Sequence, residues 1–347
     1  MRRRAWIVGP CAAESIQQLW DTARAVCRFS EVELFRCGVW KARSQPSDFE
    51  GMGEAALPVL EQIQKELHLP VCVEIAYPWQ LEKILEHGIS HAWIGARTTV
   101  NPFMVQALAD AARGTGLHLM LKNPLAPDLK LWEGAFNRFM AAGLRDLKAV
   151  YRGFATSLPT VYRNHPMWNE YIRWKSQHPD IPLYVDPSHI AGRRNLILEV
   201  AEKALLLDCD GLMLEVHTNP AEALSDAGQQ LSPEALAELM AHLPLQGSRS
   251  LDDALVAQRA AIDALDTDLL AILSKRMEVV RKIARIKQDS RQPLLQVERW
   301  QKVMEQVLQQ AEKLHLPADF VTELMQLVHA ASIEEQEREL KKSHSPQ

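Results

Sequence analysis

The chain contains little cysteine, and the spacing of its cysteines does not indicate disulfide pairs. Five of the 347 residues are cysteine, at Cys11, Cys27, Cys37, Cys72 and Cys209. The odd number and wide spacing argue against a disulfide framework, and the absence of any CxxC pair argues against a zinc-ribbon site. We therefore expect a protein of the reducing cytoplasm.

Long hydrophobic runs are also missing. No apolar stretch approaches the roughly 20 residues that a membrane-spanning helix needs. The N-terminal MRRRAWIVGPCAAES begins like a secretory signal, but Gly9-Pro10 breaks its apolar stretch and Glu14 closes it. That stretch is shorter than the roughly 7–15 uninterrupted apolar residues of such a signal. We expect neither export nor a membrane partner.

An excess of positive charge is absent as well. The chain carries 39 Lys and Arg against 44 Asp and Glu, a net charge of −5. This balance gives no reason to expect nucleic acid or an anionic membrane surface as a partner. The length suggests two or three domains, or one large domain with an appendage.

Up to about residue 245, short apolar runs alternate with amphipathic segments such as SIQQLWDTARAVCRF and AGRRNLILEVAEKALLL. The runs are RAWIVG, VELFRCGVW, VCVEI, AWIGA, LHLMLK, LKAVYR, PLYVD and GLMLEV. Nearly continuous apolar runs are typical of parallel strands covered on both faces. Eight strand–helix units of this total length predict an α/β fold, a (β/α)8 TIM barrel. A doubly wound sheet is the alternative, but no GxGxxG follows any strand.

The pattern changes around PLQGSRSLDD. Beyond Gly247 there is no glycine and no strand pattern, and three helical segments follow at 251–288, 297–314 and 318–342. We expect a barrel at 1–245, a linker at 246–253 and an all-α three-helix domain at 254–347. Two shorter helices cannot cover the first one in a monomer, so its apolar stripe predicts a homodimer through this domain.

Charged residues terminate nearly every predicted strand, where barrel enzymes build their sites. The strand-end residues are Cys11, Arg36, Lys41, Arg43, Glu74, Arg97, Lys122, Arg152, Asp186, His189 and Glu215. A single charged side chain at a strand end is usually solvated at the rim of the barrel. A convergent ring of cations, however, repels itself unless anions neutralise it, which predicts phosphate and carboxylate substrates.

A second set of strand-end and loop residues has the chemistry of a metal site. Cys11, His189, Glu215 and Asp226 offer a thiolate, an imidazole and two carboxylates, which suit a borderline divalent ion such as Mn, Fe, Co or Zn. Taken singly, Cys11 could be a small buried apolar residue and His189 a core histidine. Spacing alone leaves the metal site open.

Eight motifs follow one another in the order GPCAAES, KARSQPSDFEG, IGART, LMLKNP, YRGF, DPSHIAG, LEVHTNP and ALSDAGQQL. This series resembles 3-deoxy-D-arabino-heptulosonate 7-phosphate (DAHP) synthases of the type I-beta subgroup over the whole barrel. The resemblance implies metal-dependent condensation of phosphoenolpyruvate with erythrose 4-phosphate, with manganese expected first as the metal.

The resemblance also assigns roles to residues. The implied metal ligands are Cys11, His189, Glu215 and Asp226. The implied phosphoenolpyruvate-binding residues are Arg36, Lys41, Glu74, Arg97, Lys122 and Arg152. The implied erythrose 4-phosphate-binding residues are Arg43, Ser44 and Thr98.

Two motifs depart from the family pattern. Lys41-Ala42-Arg43-Ser44 stands where the family has Lys-Pro-Arg-Thr, and GPCA stands where it has GPCS. The rival within this fold, 3-deoxy-manno-octulosonate 8-phosphate synthase, typically reads Lys-Ala-Asn-Arg at the first motif. Here Arg43 follows Ala42 directly, which favours the four-carbon aldose.

The three-helix segment resembles the all-helical chorismate mutase family over its full length. The resemblance implies that chorismate is bound by Arg259, Arg276, Lys287, Arg299, Ser332 and Gln336. The arginines would hold the two carboxylates, and Lys287 and Gln336 would face the breaking ether oxygen. Gln296 and Trp300 depart from the pattern, since the bacterial enzymes usually carry acidic residues there.

Helical geometry limits which of these residues can share a pocket. Arg276 and Lys287 are eleven residues apart, which places them about 20° apart around the helix axis. Arg259 points about 100° away from Arg276, so it cannot easily serve the same pocket but could serve that of a partner, and the resemblance implies that it comes from the other protomer. Ser332 and Gln336 are four residues apart and share a face.

Together the two modules predict a bifunctional enzyme of aromatic biosynthesis, a DAHP synthase fused to a chorismate mutase. In the alternative, the helical tail mainly dimerises the chain and senses chorismate or prephenate to regulate the barrel. The barrel begins almost at Met1, which would leave no room for a separate N-terminal regulatory domain and makes feedback through the tail plausible.

Overall fold

The computed structural model describes residues 5–41, 43, 45, 47–157, 159–243, 253–290 and 292–343. The chain divides into two compact units, Met1–Gly247 and Ser248–Gln347. Of the predicted linker at 246–253, all but Asp253 lies outside the described residues. No helix in the described ranges is long and apolar enough to cross a membrane.

In the first unit, eight parallel strands close into a barrel in sequence order, with the last strand paired to the first. The strands are β1 Ala5–Gly9, β2 Val32–Cys37, β3 Val71–Ile75, β4 His91–Ile94, β5 His118–Lys122, β6 Leu147–Tyr151, β7 Leu183–Val185 and β8 Gly211–Glu215. The prediction of a (β/α)8 barrel is confirmed. The second predicted run, VELFRCGVW, ends as a strand at Cys37 rather than at Trp40.

The described residues of this unit form ten α-helices. They are α1 Ile16–Val26, α2 Leu57–Leu67, α3 Pro78–Glu86, α4 Ala96–Thr99, α5 Pro102–Ala111, α6 Leu129–Ala141, α7 Trp168–Gln177, α8 Pro187–Ala191, α9 Ile197–Leu206 and α10 Pro233–His242. Local sequence fixes several helix starts. The side chains of Ser15, Asn101 and Ser232 cap backbone N–H groups of the first turn.

The segment AGRRNLILEVAEKALLL does not form one continuous helix. Helix α8 ends at Ala191, and Gly192 follows with a left-handed φ of 68°. A Cβ atom at this position would lie 2.3 Å from the Cβ atom of Arg163, so a glycine is needed on both counts. Helix α9 begins only at Ile197.

Side chains alternate along each strand between the barrel interior and the surrounding helices. The interior cluster is Ala5, Ile7, Leu34, Cys72, Trp93, Met120, Val150, Tyr184 and Met213. Because residues two apart share a face of the sheet, the next inward positions fall at or just beyond the carboxyl ends of the strands. On six strands these positions are charged: Arg36, Glu74, Lys122, Arg152, Asp186 and Glu215.

Where the structure describes the second unit, it forms three helices, as predicted: α11 Asp253–Asp289, α12 Val297–Lys313 and α13 Ala318–Ser343. Helix α13 packs against both α11 and α12. Side-chain contacts between α11 and α13 keep a nearly constant offset of 54 to 56 residues, so these two helices run parallel. Among the described residues of this unit, the buried apolar side chains are Val280, Ala284, Ala311 and Val321.

A stacked histidine pair lies at the amino ends of β4 and β5. The rings of His91 and His118 are 4.4 Å apart between centroids. Burial, together with the neighbouring His118 and Lys148, lowers the pKa of His91 to about 4. Because an unfolded histidine has a pKa of about 6.5, the unfolded chain binds this proton first as the pH falls. Barrel stability that depends on neutral His91 is therefore lost between about pH 6.5 and pH 4.

We expect the free energy of unfolding of the barrel to fall by about 1–2 kcal/mol from pH 7 to pH 5 through His91, allowing for its partial exposure. His91→Gln should remove this part of the pH dependence, as measured by urea midpoints at the two pH values. His242→Gln, exposed on α10, is the matched control. An unaltered pH dependence in His91→Gln would contradict the assignment.

Candidate active sites

Buried charges meet at the carboxyl end of the barrel. Lys122 Nζ lies 2.7 Å from Asp186 Oδ2, and Arg36 Nη2 lies 3.0 Å from Glu215 Oε1. Arg36 Nη1 is 3.9 Å from the same oxygen of Asp186. Within the described residues, Nε and Nη1 of this fully buried arginine donate no hydrogen bond. Buried donors without acceptors are costly, so they mark a place for an anionic ligand.

Trp93 forms the floor beneath these cations. Its ring centroid lies 5.0 Å from the Arg36 guanidinium carbon and 5.9 Å from Lys122 Nζ, within the range of cation–π attraction. Two residues further along, a Cβ atom at Gly95 would lie 2.2 Å from Glu74 Oε1. The glycine therefore leaves room for the Glu74 carboxylate. In the sequence, only the inward register of Trp93 on β4 could have marked it as part of the site.

Three of the four expected metal ligands lie together. Possible ligand atoms of Cys11, Glu215 and Asp226 are all within 4.8 Å of one another. The fourth, His189, lies beside this group, with Nε2 3.8 Å from Glu215 Oε1 and Nδ1 2.8 Å from Asp186 Oδ2. Burial lowers the pKa of His189, which favours the neutral ring that a metal ligand requires.

The protonation states of the group fit a divalent cation. Burial and the nearby Glu215 raise the pKa of the Cys11 thiol to about 12. Burial would also raise the pKa of Glu215, but His189, Arg36 and Lys41 outweigh it and lower the value to about 2. Glu215 is therefore ionised, whereas ionising the Cys11 thiol beside it costs free energy. A bound cation would balance the carboxylate charge and stabilise the thiolate. The residues present fit such an ion.

Arg163 and Gln229 hold the two carboxylates of this group and were not foreseen. Gln229 Nε2 donates to Glu215 Oε2 at 2.6 Å, and its Oε1 accepts from Arg163 Nη1 at 2.7 Å. The same Nη1 lies 3.1 Å from Asp226 Oδ1. Gln229 stands inside the motif ALSDAGQQL, whereas nothing in the sequence marked Arg163.

Lys41 and Arg43 lie on the loop after β2. Lys41 Nζ is 3.6 Å from Glu74 Oε2. Burial opposes the charge of Lys41, but Cys11, Glu74 and Glu215 prevail and raise its pKa. Arg43 is half-buried, and its Nε donates to the Phe49 carbonyl at 2.9 Å. The remaining residue of this motif, Ser44, lies outside the described residues.

Arg152, Arg97 and Thr98 complete the expected barrel set. Arg152 is buried, and burial lowers its pKa to about 10, with Asp186 opposing this and Arg163 and Arg97 adding to it. Its backbone N–H donates to Asn123 Oδ1 at 2.6 Å, which fixes the end of β6. On α4, Arg97 is exposed and Thr98 is half-buried.

In the helical unit, a second polar group gathers between α11 and α13. Arg276 Nη1 donates to Ser332 Oγ, and Gln336 Nε2 donates to the Ser332 carbonyl at 3.2 Å. Lys287 Nζ donates to the Leu294 carbonyl at 2.5 Å. Arg259 and Arg299 are exposed, and the described residues show no hydrogen bond or ion pair that joins either of them to this group.

An aromatic pair lies next to the second group. The rings of Trp300 on α12 and His329 on α13 are stacked, with centroids 4.1 Å apart and planes 13° apart. Burial, Arg276 and Lys287 lower the pKa of His329. Trp300 departs from the chorismate mutase pattern, whereas nothing in the sequence marked His329.

The two units match two known families. Residues 2–246 match the DAHP synthetase I family. The chain belongs to this family. Residues 258–337 match chorismate mutase type II, so the chain combines a DAHP synthase (transferase) domain with a chorismate mutase (isomerase) domain. The fusion expected from the sequence is confirmed, and with it an enzyme of the shikimate pathway.

Two kinds of aldolase are among the relatives that are similar to the barrel. A phospho-2-dehydro-3-deoxyheptonate aldolase of Thermotoga maritima is 28% identical over 249 residues, which is 72% of this chain and 70% of the relative. A 2-dehydro-3-deoxyphosphooctonate aldolase of Synechococcus is 26% identical over 256 residues, 68% of this chain and 85% of the relative. The crystal structure of a DAHP synthase from Thermotoga maritima superposes with a TM-score of 0.61 at 26% identity, covering 69% of this chain and 67% of that one.

Gln229→Leu tests the support of the metal group. The substitution leaves Glu215 Oε2 without its donor and removes one of the two acceptors of Arg163 Nη1, so we expect divalent-metal affinity to fall about 10- to 100-fold while the barrel stays folded. Calorimetric titration with Mn²⁺ and a circular dichroism melt measure the two effects. Gln62→Leu, exposed on α2, is the control. Equal Mn²⁺ affinity in Gln229→Leu and the wild type would show that this network does not support the ligands.

Proposed function

We propose that the barrel condenses phosphoenolpyruvate with erythrose 4-phosphate to give DAHP and phosphate, and that the helical domain rearranges chorismate to prephenate. The main support is the buried cationic site of the barrel together with the two family matches. The proposed division of the chain is a barrel at 1–245, a linker at 246–253 and a mutase at 254–347. The odd number and wide spacing of the five cysteines favour the cytoplasm as its location.

Phosphoenolpyruvate is the anion that the buried cations would bind. Arg36 offers two unused donors, Lys122 lies beside it across Asp186, and Arg152 is a buried guanidinium that Arg163 and Arg97 destabilise. A ligand with a phosphate and a carboxylate would pair with these groups and relieve their mutual repulsion. Fixing both ends of the molecule orients its enol carbon for attack, which supplies much of the rate.

A divalent ion, manganese first and iron, cobalt or zinc as alternatives, would be held by Cys11, Glu215, Asp226 and His189. When bound, it would polarise the aldehyde oxygen of the aldose as a Lewis acid. Lys41, charged and held by Glu74 beside the same group, would stabilise negative charge on that oxygen. Arg43, and Thr98 and Ser44 with it, would bind the aldose phosphate and chain.

Metal binding should displace the proton of Cys11. Because the pKa of this thiol is raised to about 12, the thiol is protonated at neutral pH and must ionise to bind the metal. We expect release of about one proton and a roughly tenfold gain in Mn²⁺ affinity per pH unit from pH 6 to pH 8. Calorimetry in buffers of different ionisation enthalpy measures the proton, and Cys11→Ser should release none.

The same experiment has an activity counterpart. We expect dialysis against a chelator to abolish DAHP formation and Mn²⁺ to restore it. Full synthase activity after complete metal removal would refute the proposed metal dependence.

The identity of the aldose is the finer part of the proposal. Octonate aldolases are among the relatives, so arabinose 5-phosphate is the competing substrate. Arg43 follows Ala42 directly, without the Asn that stands between them in the rival motif, and this favours erythrose 4-phosphate. Comparing kcat/KM for the two aldoses decides the question, and we expect a preference for erythrose 4-phosphate of more than about tenfold.

The mutase reaction is an intramolecular rearrangement that needs a compact conformer and positive charge beside the ether oxygen. Arg276, fixed by Ser332, would bind a carboxylate of chorismate. Lys287 and Gln336 would face the ether oxygen. Gln336 Oε1 is buried and has no hydrogen-bond partner in the described part of the chain, so the polar group has capacity left for a ligand.

Helix α11 also supports a homodimer. The residues Leu265, Leu269, Ile272, Val279, Ile283 and Ile286 form an apolar stripe along it, and each is 39% to 66% exposed. With Arg276 between Ile272 and Val279, the spacing alternates between four and three residues along one face, the pattern of a helix-packing seam. A second copy would cover this stripe and could receive the exposed Arg259 of the first protomer at its own site.

Lys287→Ala should lose most chorismate turnover, about 100-fold or more in kcat, because the cation beside the ether oxygen is removed. Loss of chorismate absorbance measures this. Lys302→Ala, exposed on α12, should behave as the wild type. Unchanged turnover in Lys287→Ala would refute the assigned role.

A regulatory tail is the second candidate function, and the absence of acidic residues at Gln296 and Trp300 favours it. In that case the helical domain would bind chorismate or prephenate with little turnover and inhibit the barrel. Titrating prephenate into the synthase assay separates the two functions. Inhibition without mutase turnover would favour regulation alone, and turnover with inhibition would show both.

A further inference from the structure

Trp300 and His329 form a stacked pair of uncharged rings in the helical domain. Trp300 comes directly after Arg299, at a position where a carboxylate is usual in this family. Its indole ring is half-buried and lies face to face with the imidazole of His329, 4.1 Å away. Stacking at this distance restricts rotation of both rings. The plane of the His329 ring is therefore held by a residue of the neighbouring helix.

The surroundings of His329 keep its ring neutral. Burial comes first, and the positive charges of Arg276 and Lys287 on α11 add to it, so that the pKa of His329 is lowered. The residue stacked on it from α12 is uncharged. In the described residues, the buried Nε2 atom has no hydrogen-bond partner. A buried polar atom without a partner, beside two cations that would bind an anionic ligand, has capacity left for that ligand.

We propose that His329 is a substrate-binding residue of the mutase site, and that its Nε2 accepts a hydrogen bond from the ring hydroxyl of the substrate. The inference rests on the proposed mutase function and deepens it. Trp300 acts through His329 as a positioning residue. The pair thereby takes over the recognition that a carboxylate would otherwise provide.

Electrostatics favours an acceptor at this place. Nearby cations favour the neutral ring, and the tautomer with its proton on Nδ1 leaves the lone pair of Nε2 free to accept a hydrogen bond. A carboxylate would accept the same hydroxyl proton, but it would cancel part of the charge of Arg276 and Lys287. A neutral acceptor leaves that charge available to the dianionic substrate. Protonation of His329 at low pH would remove the acceptor.

The test compares chorismate with an analogue whose ring hydroxyl is replaced by hydrogen, using the full-length protein. The wild type should bind the analogue about tenfold more weakly than chorismate, because the buried acceptor is left unpaired. In His329→Phe, KM for chorismate should rise about tenfold and the difference between the two compounds should disappear. A purely structural role of His329 would leave that difference unchanged.

Further variants separate recognition from folding. His329→Gln retains an acceptor and should keep part of the discrimination, and Trp300→Phe retains a stacking ring and should keep most of it. Trp300→Ala should lose it while melting as the wild type does. His315→Asn, an exposed histidine of the same unit, is the control.

The outcomes distinguish this inference from the function on which it rests. If the wild type converts chorismate and His329→Phe discriminates against the analogue as the wild type does, the role of His329 is overturned and the mutase function stands. If the wild type neither converts nor binds chorismate by calorimetry, both fall. Loss of discrimination in His329→Phe, with its retention in His315→Asn, supports both.

Discussion

Alternation of side chains along the eight strands is the constraint on which the barrel site depends. Alternate residues fill the interior with apolar groups, so the next inward positions are reached where the strands end and water begins. On six strands these positions hold charged residues, and Trp93 of the apolar layer lies beneath Arg36 and Lys122. These six charged groups therefore take their positions from packed strands, whereas Lys41, Arg163 and Asp226 join the site from loops.

Charge balance then links the parts of the site. Glu215 is shared, since one oxygen lies against Arg36 and the other accepts from Gln229, while the carboxylate also belongs to the group with Cys11 and Asp226. A cation bound by that group would draw on the charge that now balances Arg36. The arginine would then be freer to bind an anion. Metal and phosphoenolpyruvate binding are expected to support each other through this one carboxylate.

Sequence patterns predicted what depends on local periodicity. The eight strands followed from apolar runs, and the helices of the second unit from a spacing of three and four residues. The strand-end charges followed because a barrel has one functional end. Arg163 could not be predicted, because its contact with Gln229 spans 66 residues and depends on how two loops fold over the barrel. His329 was missed for the same reason, since its partner lies on another helix.

The proposed dimer contact and the proposed mutase site both use helix α11. Arg276 lies within the apolar stripe of α11, between Ile272 and Val279. The described residues of this unit bury few apolar side chains, so a second copy that covers the stripe would stabilise it. The covering of the stripe and the placement of Arg276 are then one event. Weakening the dimer should therefore weaken chorismate binding even where no substrate contact is altered.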